Sequence, residues 1–176
     1  MADLAVDPRA GRQGIELLVI VEAALVVVNL VQSRLDPSLG AVWAGPVLMA
    51  IGVAIGAAIL SLASRAGSYA SAFGRLSFAF EVPAALIGLP IAKAGAILLL
   101  VGEPVDAEPF ALLSFVTSTV VFVWSMALMV LAVRASVVGG AAVGCTALLI
   151  AVAFIASVVA LGALLIATDG VSSVLE

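Results

Sequence analysis

The sequence predicts an all-α fold, a polytopic bundle of five transmembrane helices, from three observations. Hydrophobic residues make up 65% of the chain, the mean hydropathy is +1.36, and the apolar residues fall into five long runs separated by short polar breaks. A water-soluble domain of 176 residues has too little interior to hide that much apolar surface, whereas in a bilayer the lipid itself is the solvent. Charged residues are 10% of the chain, against roughly 25% in soluble proteins. The net charge of −4 comes with no basic tract, so a nucleic-acid partner is not expected.

The expected spans are 14–31, 41–63, 77–101, 110–133 and 139–167, which together form one membrane domain. Each reaches or approaches the ~20 residues that a helix needs to cross hydrocarbon. Residues 1–13 carry Asp3, Asp7, Arg9 and Arg12. The first run leads into Gln32, Ser33 and Arg34 with no small-residue cleavage signature, so it reads as a retained helix rather than a removed signal peptide. Asp36-Pro37-Ser38 closes the first run. Arg65-Ala66-Gly67-Ser68 opens the second connection, Glu103-Pro104 and Glu108-Pro109 bound the third, and Gly139-Gly140 marks the fourth. Residues 168–176 form a short tail.

Orientation follows from the basic residues. Arg9, Arg12, Arg65, Arg75 and Arg134 fall on one side of the expected bundle and Arg34 alone on the other. The positive-inside rule then puts the N-terminus in the cytoplasm and the C-terminus outside, in a multi-pass protein of the cytoplasmic membrane. Trp43 is expected at the outer headgroups and Trp124 within the bundle.

The absences restrict the chemistry. The chain has no histidine, every Asp lies outside the spans, and no phosphate-cradling glycine loop is followed by Lys. No enzymatic activity, cofactor or metal is expected. The lone Cys145 excludes an intramolecular disulfide. Four ionisable residues fall inside the spans. Glu16 and Glu81 lie near span ends and are expected to reach the interface. Glu22 and Lys93 lie deeper, where a charge costs at least ~2.5–3.5 kcal/mol and seeks a partner, so a Glu22–Lys93 pair is expected. Asn29 follows Glu22 by seven residues on the same helical face. Glu22, Asn29, Glu81 and Lys93 are thus the intramembrane polar candidates, either as a polar path or, more simply, as a structural pair with Lys93 snorkelling outward.

Pro83, Gly88 and Pro90 predict a kink in span three. Gly52 and Gly56, and Gly140 and Gly144, are the helix-packing candidates, since small residues let backbones approach closely. Ser114, Ser118 and Ser125 share a face of span four near Thr117 and Thr119; their hydroxyls are expected to bond the preceding backbone turn.

The stretch SLASRAGSYASAFGRLSFAFEVPAALIGLP (61–90) and the stretch FVWSMALMVLAVRA (122–135) resemble the Yip1 family of five-span membrane proteins. The likeness rests on Arg65, Gly67 and Pro83, on Trp124 and Arg134, and on the small-residue start of the last span at Gly139-Gly140-Ala141-Ala142. It covers roughly residues 61–165. The resemblance implies a cytosolic N-terminus and a C-terminus on the opposite side; a GTPase-binding role, which in the family uses a longer N-terminal region, is not implied here. The leading expectation is a non-enzymatic scaffold or adaptor in the lipid bilayer, packing with itself or with another membrane protein. The alternative is a small transporter or channel component using Glu22, Asn29 and Lys93.

Overall fold

The computed structural model describes residues 8–35, 44–64, 68–102 and 108–172, and these are helical apart from short connections. The helices are α1 (Pro8–Leu35), α2 (Ala44–Ala63), α3 (Tyr69–Pro83), a π-helical turn (Ala84–Gly88), α4 (Leu89–Leu100), α5 (Glu108–Ser136) and α6 (Gly140–Ser172). Among the described residues four apolar stretches are long enough to cross a membrane: Arg12–Leu35, Tyr69–Leu100, Pro109–Ser136 and Gly140–Ser157. The apolar part of α2, Val47–Ala63, is shorter, roughly 26 Å at 1.5 Å per residue. The breaks at 36–38, 65–67 and 103–104, together with Trp43, lie outside the described residues.

Helix boundaries differ from those expected at several places: α1 spans Pro8–Leu35 rather than 14–31, and α5 spans Glu108–Ser136 rather than 110–133. The third helix begins at Tyr69 rather than at residue 77. Ser68 caps it, its Oγ accepting from the Ser71 N–H at 3.3 Å. From there Ala72, Leu76, Ala79 and Phe80 repeat at three- and four-residue spacing and are buried, so the segment belongs to the bundle. The last helix runs on to Ser172, past the expected end at 167. Gly139 has φ +101°, a conformation natural to glycine, and this turns the chain from α5 into α6.

The expected kink takes the form of the π turn. Pro83 and Pro90 lack the N–H that would bond the carbonyls of Ala79 and Leu86. Between them the Leu89 N–H donates to the Ala84 carbonyl, five residues back. The wider turn makes room for the Pro90 ring against the preceding carbonyl.

The α3–α4 unit is the hub: α1 packs along its whole length, while α2 and α5 pack on its other sides and α6 packs chiefly on α2. α1 and α3–α4 run in the same direction. Gly14 meets Gly74 near one end, and at the other the Gln32 amide donates to the Ala92 carbonyl at 2.9 Å, with the same offset of 60 residues. α5 runs the opposite way, with Ser136 accepting from Arg75 at 2.6 Å and Phe110 beside Gly95. α2 and α6 are antiparallel, since Gly52 faces Phe154 and Gly56 faces Ile150.

Packing is uneven along the bundle. The buried cluster of Leu18, Ala57, Leu60, Leu76, Val133 and Ile150 sits toward the end that carries Arg12, Arg75 and Arg134. Toward the other end lies a cavity of about 350 Å³.

At the tight end a Cβ on Gly14 runs into the Gly74 carbonyl, which is backbone and cannot swing aside, whereas nothing lies within 4 Å of a Cβ on Gly144. Gly14→Ala is therefore expected to lower stability by about 1–3 kcal/mol, the usual cost of overpacking, and Gly144→Ala to leave it within about 0.5 kcal/mol. Thermal unfolding in detergent, followed by helical circular dichroism, compares the two.

Candidate functional site

Glu22 and Glu81 meet between α1 and α3. The Gly14–Gly74 approach brings the helix axes close, and the common direction of the helices then sets residues near 22 beside residues near 81. The two side chains are within hydrogen-bonding reach of each other. Glu81 is 0% exposed and Glu22 is half-buried. One oxygen of Glu22 and both of Glu81 are buried and receive no hydrogen bond from another residue. Ser77, one turn before Glu81, is also buried, but it donates to the Phe73 carbonyl at 2.8 Å and so is already engaged.

The chemistry of such a pair is restricted. Two carboxylates only accept hydrogen bonds, so they repel unless a proton or another cation lies between them. With one proton present, the protonated carboxyl donates to its neighbour in a short, charge-assisted bond, and the proton belongs to the pair rather than to one residue.

Among the described residues no compensating cation comes from the packed helices. Among the described residues the ion pair is Arg12 with Glu16, at 2.8 Å on the exposed flank of α1. Arg75 points to Ser136 on α5. The α2 segment has no charged residue, and Arg134 on α5 is exposed.

The expected Glu22–Lys93 pair does not form. Lys93 is exposed on α4, and Glu81 takes its place beside Glu22. Depth explains the correction. Glu22 lies fourteen residues into α1 and Glu81 twelve residues into α3, whereas Lys93 lies twenty-four residues beyond Tyr69. At 1.5 Å per residue these positions are roughly 21, 18 and 36 Å along parallel helices, too far for the Lys stem to bridge. Glu81 likewise does not reach an interface, because its helix starts eight residues earlier than expected. Asn29 is half-buried and already engaged.

The glycine candidates separate. Gly52 lies so close to the Phe154 ring that a Cβ there collides with it, and a Cβ on Gly56 would sit 3.1 Å from Ile150 and Leu76. Gly140 and Gly144 have open space beside them. Trp124 is 36% exposed and faces outward rather than into the bundle. Thr117 and Thr119 donate to the carbonyls of Leu113 and Phe115 at 2.8 and 2.9 Å. The Gly14–Gly74 contact, the Gln32 bond and the carboxyl pair had no motif to mark them; the Ser68 cap was the one local signal that would have set Glu81 at the depth of Glu22.

The cavity lies on another side of the same hub, between α2, α3–α4, α5 and α6. Phe80 and Phe154 stack across its floor with ring centroids 5.1 Å apart. Among the described residues no cluster of three or more His, Cys, Asp or Glu is placed to hold a metal ion.

The class these features define is an all-helical protein with, among the described residues, four helices long and apolar enough to cross a membrane. The chain matches no protein-family model, no curated protein and no solved structure, so the Yip1 resemblance stands on its sequence features alone.

If the pair is held by a shared proton, an amide can replace one partner. Glu22→Gln is expected to match or exceed the wild-type melting temperature, because its NH₂ donates to Glu81. Glu22→Ala leaves the buried Glu81 carboxyl without a partner and is expected to cost about 1–3 kcal/mol. Equal stability of the two variants would show that the contact contributes nothing to the fold.

Proposed function

We propose that this chain is a five-span protein of the cytoplasmic membrane, with its N-terminus inside and its C-terminus outside, and that it acts as a small proton-handling transporter component rather than as an enzyme. The observation that carries this reading is the meeting of the buried Glu81 with the half-buried Glu22 between α1 and α3. Ionisable groups at such depth are costly to insert and mark ion pathways. Two of them facing each other, with no basic residue among the described residues to neutralise them, form a site whose natural ligand is a proton. The helix directions support five crossings: α1 and α3–α4 run together, α5 runs against them, and α2 runs against α6. The basic residues on one end support the orientation.

The site sits where the tightly packed half of the bundle meets the looser half, beside a helix broken by the π turn. Such a segment is where a transporter helix can bend between two arrangements. The proton is taken onto the carboxyl pair from one side and released to the other, so the pair returns to its starting state after each cycle.

Proteoliposomes with an imposed pH gradient and an internal pH-sensitive dye test this directly. Wild-type protein is expected to dissipate the gradient at least tenfold faster than the Glu22→Gln/Glu81→Gln double variant, incorporated at equal density and helical by circular dichroism. Equal rates would refute proton handling at this site.

A second reading, a scaffold or adaptor similar to Yip1 proteins, is favoured by one observation. Gly140, Gly144 and Cys145 of α6 are exposed, and no described residue lies within 4 Å of a Cβ on either glycine, which suits close approach of another helix. Because Cys145 is the one cysteine in the sequence, mild oxidation in membranes reads out this face. A disulfide-linked dimer, lost in Gly144→Leu, is the result expected if two copies pack there; a monomer under all conditions argues against self-association through α6.

A further inference from the structure

We propose that the cavity between α2, α3–α4, α5 and α6 is a binding site for an uncharged, mainly apolar small molecule carrying one hydrogen-bonding oxygen, which enters from the bilayer. This rests on the reading of the chain as membrane-embedded but is independent of proton handling at Glu22–Glu81. The cavity measures about 350 Å³, within the range of about 300–1,000 Å³ typical of small-molecule sites. None of the residues that line it is charged, so an ionic ligand would lose its hydration without compensation.

Of the hydroxyls that line the cavity, those of Ser114, Ser118 and Ser125 donate no hydrogen bond among the described residues, and Ser125 is the most buried of the three. Ser125 lines the cavity and is only 3% exposed. Helical Ser and Thr hydroxyls commonly bond a carbonyl three or four residues back, and Thr117, on the same wall, does so twice, to Leu113 and Ser114. Among the described residues the Ser125 hydroxyl makes no such bond. The Ser125 hydroxyl opens on the cavity, so it offers a donor and an acceptor to whatever occupies the space. An alkyl chain alone fills the volume but leaves this group unpaired; a molecule with a hydroxyl or carbonyl oxygen satisfies both. The mouth has exposed Ser118 and Phe122 on α5, a side that faces lipid if the chain is embedded. The opposite wall is Ala84 and Gly88, the two ends of the π turn, where side chains are small and leave the space open. The nearest side-chain atom to a Cβ on Gly88 is 4.0 Å away, so a larger residue there reaches into the cavity without displacing backbone.

Photolabelling in nanodiscs tests this with two probes, a diazirine-bearing twelve-carbon alcohol and the diazirine alkane of equal length. Co-elution of the chain with the discs checks the embedding first; a chain that stays out of discs overturns both the embedding and this proposal. Once it is embedded, the alcohol is expected to label the α5 segment 114–125 at least fivefold more than the alkane. Ser125→Ala is expected to abolish that preference while leaving alkane labelling unchanged, and Gly88→Leu to suppress labelling by both. Equal labelling by alcohol and alkane would mean that the cavity holds lipid tails without selectivity, and labelling unaffected by Gly88→Leu would place the probes outside it; either result overturns the proposal. Proton flux measured on Ser125→Ala separates the two sites: loss of alcohol preference with flux retained is the expected outcome, and retained preference refutes the role of Ser125.

Discussion

The close, co-directional packing of α1 along α3–α4 is the constraint on which the rest of the structure depends. It is set at one end by two glycines whose backbones touch, Gly14 and Gly74, and at the other by the Gln32 amide reaching the Ala92 carbonyl. Between helices in an apolar solvent there is little hydrophobic drive, so small residues and a few polar contacts decide which faces meet. Once both ends are pinned, the intervening residues have no freedom of register. Glu22 and Glu81 are brought together because they occupy nearly the same height on neighbouring helices, and their encounter is unfavourable without a bound cation. The packing geometry thus holds in place a contact that the two carboxyls by themselves would avoid.

Around this axis the bundle divides into two regimes. At the end bearing Arg12, Arg75 and Arg134, large aliphatic side chains interlock and Arg75 ties α3 to α5 through Ser136. Beyond the Phe80–Phe154 stack the side chains shrink to Ala84, Gly88 and serine hydroxyls, and the cavity opens. The change coincides with the π turn between Pro83 and Pro90, where backbone bonding is already altered. A helix whose own ladder is interrupted bends more readily than an intact one, so the carboxyl pair and the cavity lie on two sides of the one segment best suited to move.

Hydropathy made the helices legible: an all-α chain with long apolar helices follows from composition and run length alone, because a helix is the way an isolated segment satisfies its own backbone in lipid. Glu22 was also visible as an ionisable residue deep in an apolar helix, Glu81 as one near a span end, and Gly52 and Gly56 as candidates for close helix approach. What the one-dimensional reading misplaced was depth. Residues 69–76 look polar enough to be a connection, yet the Ser68 cap starts the helix there, and the shift moves Glu81 from an expected interface into the bundle and leaves Lys93 far above Glu22.

The sequence by itself determined the element type, the positions of most helices and the inventory of intramembrane polar groups, since each depends on local hydrophobicity and on breaks at Pro and Gly. Only the tertiary structure decided which of those groups meet. Pairing Glu22 with Glu81, turning Trp124 and Lys93 outward, seating Gly52 on Phe154 while leaving Gly144 open, and opening Ser125 onto a cavity all depend on rotation and register between helices. Apolar helices with weak amphipathicity carry almost no record of that rotation in their residue pattern, because nearly every face is compatible with lipid.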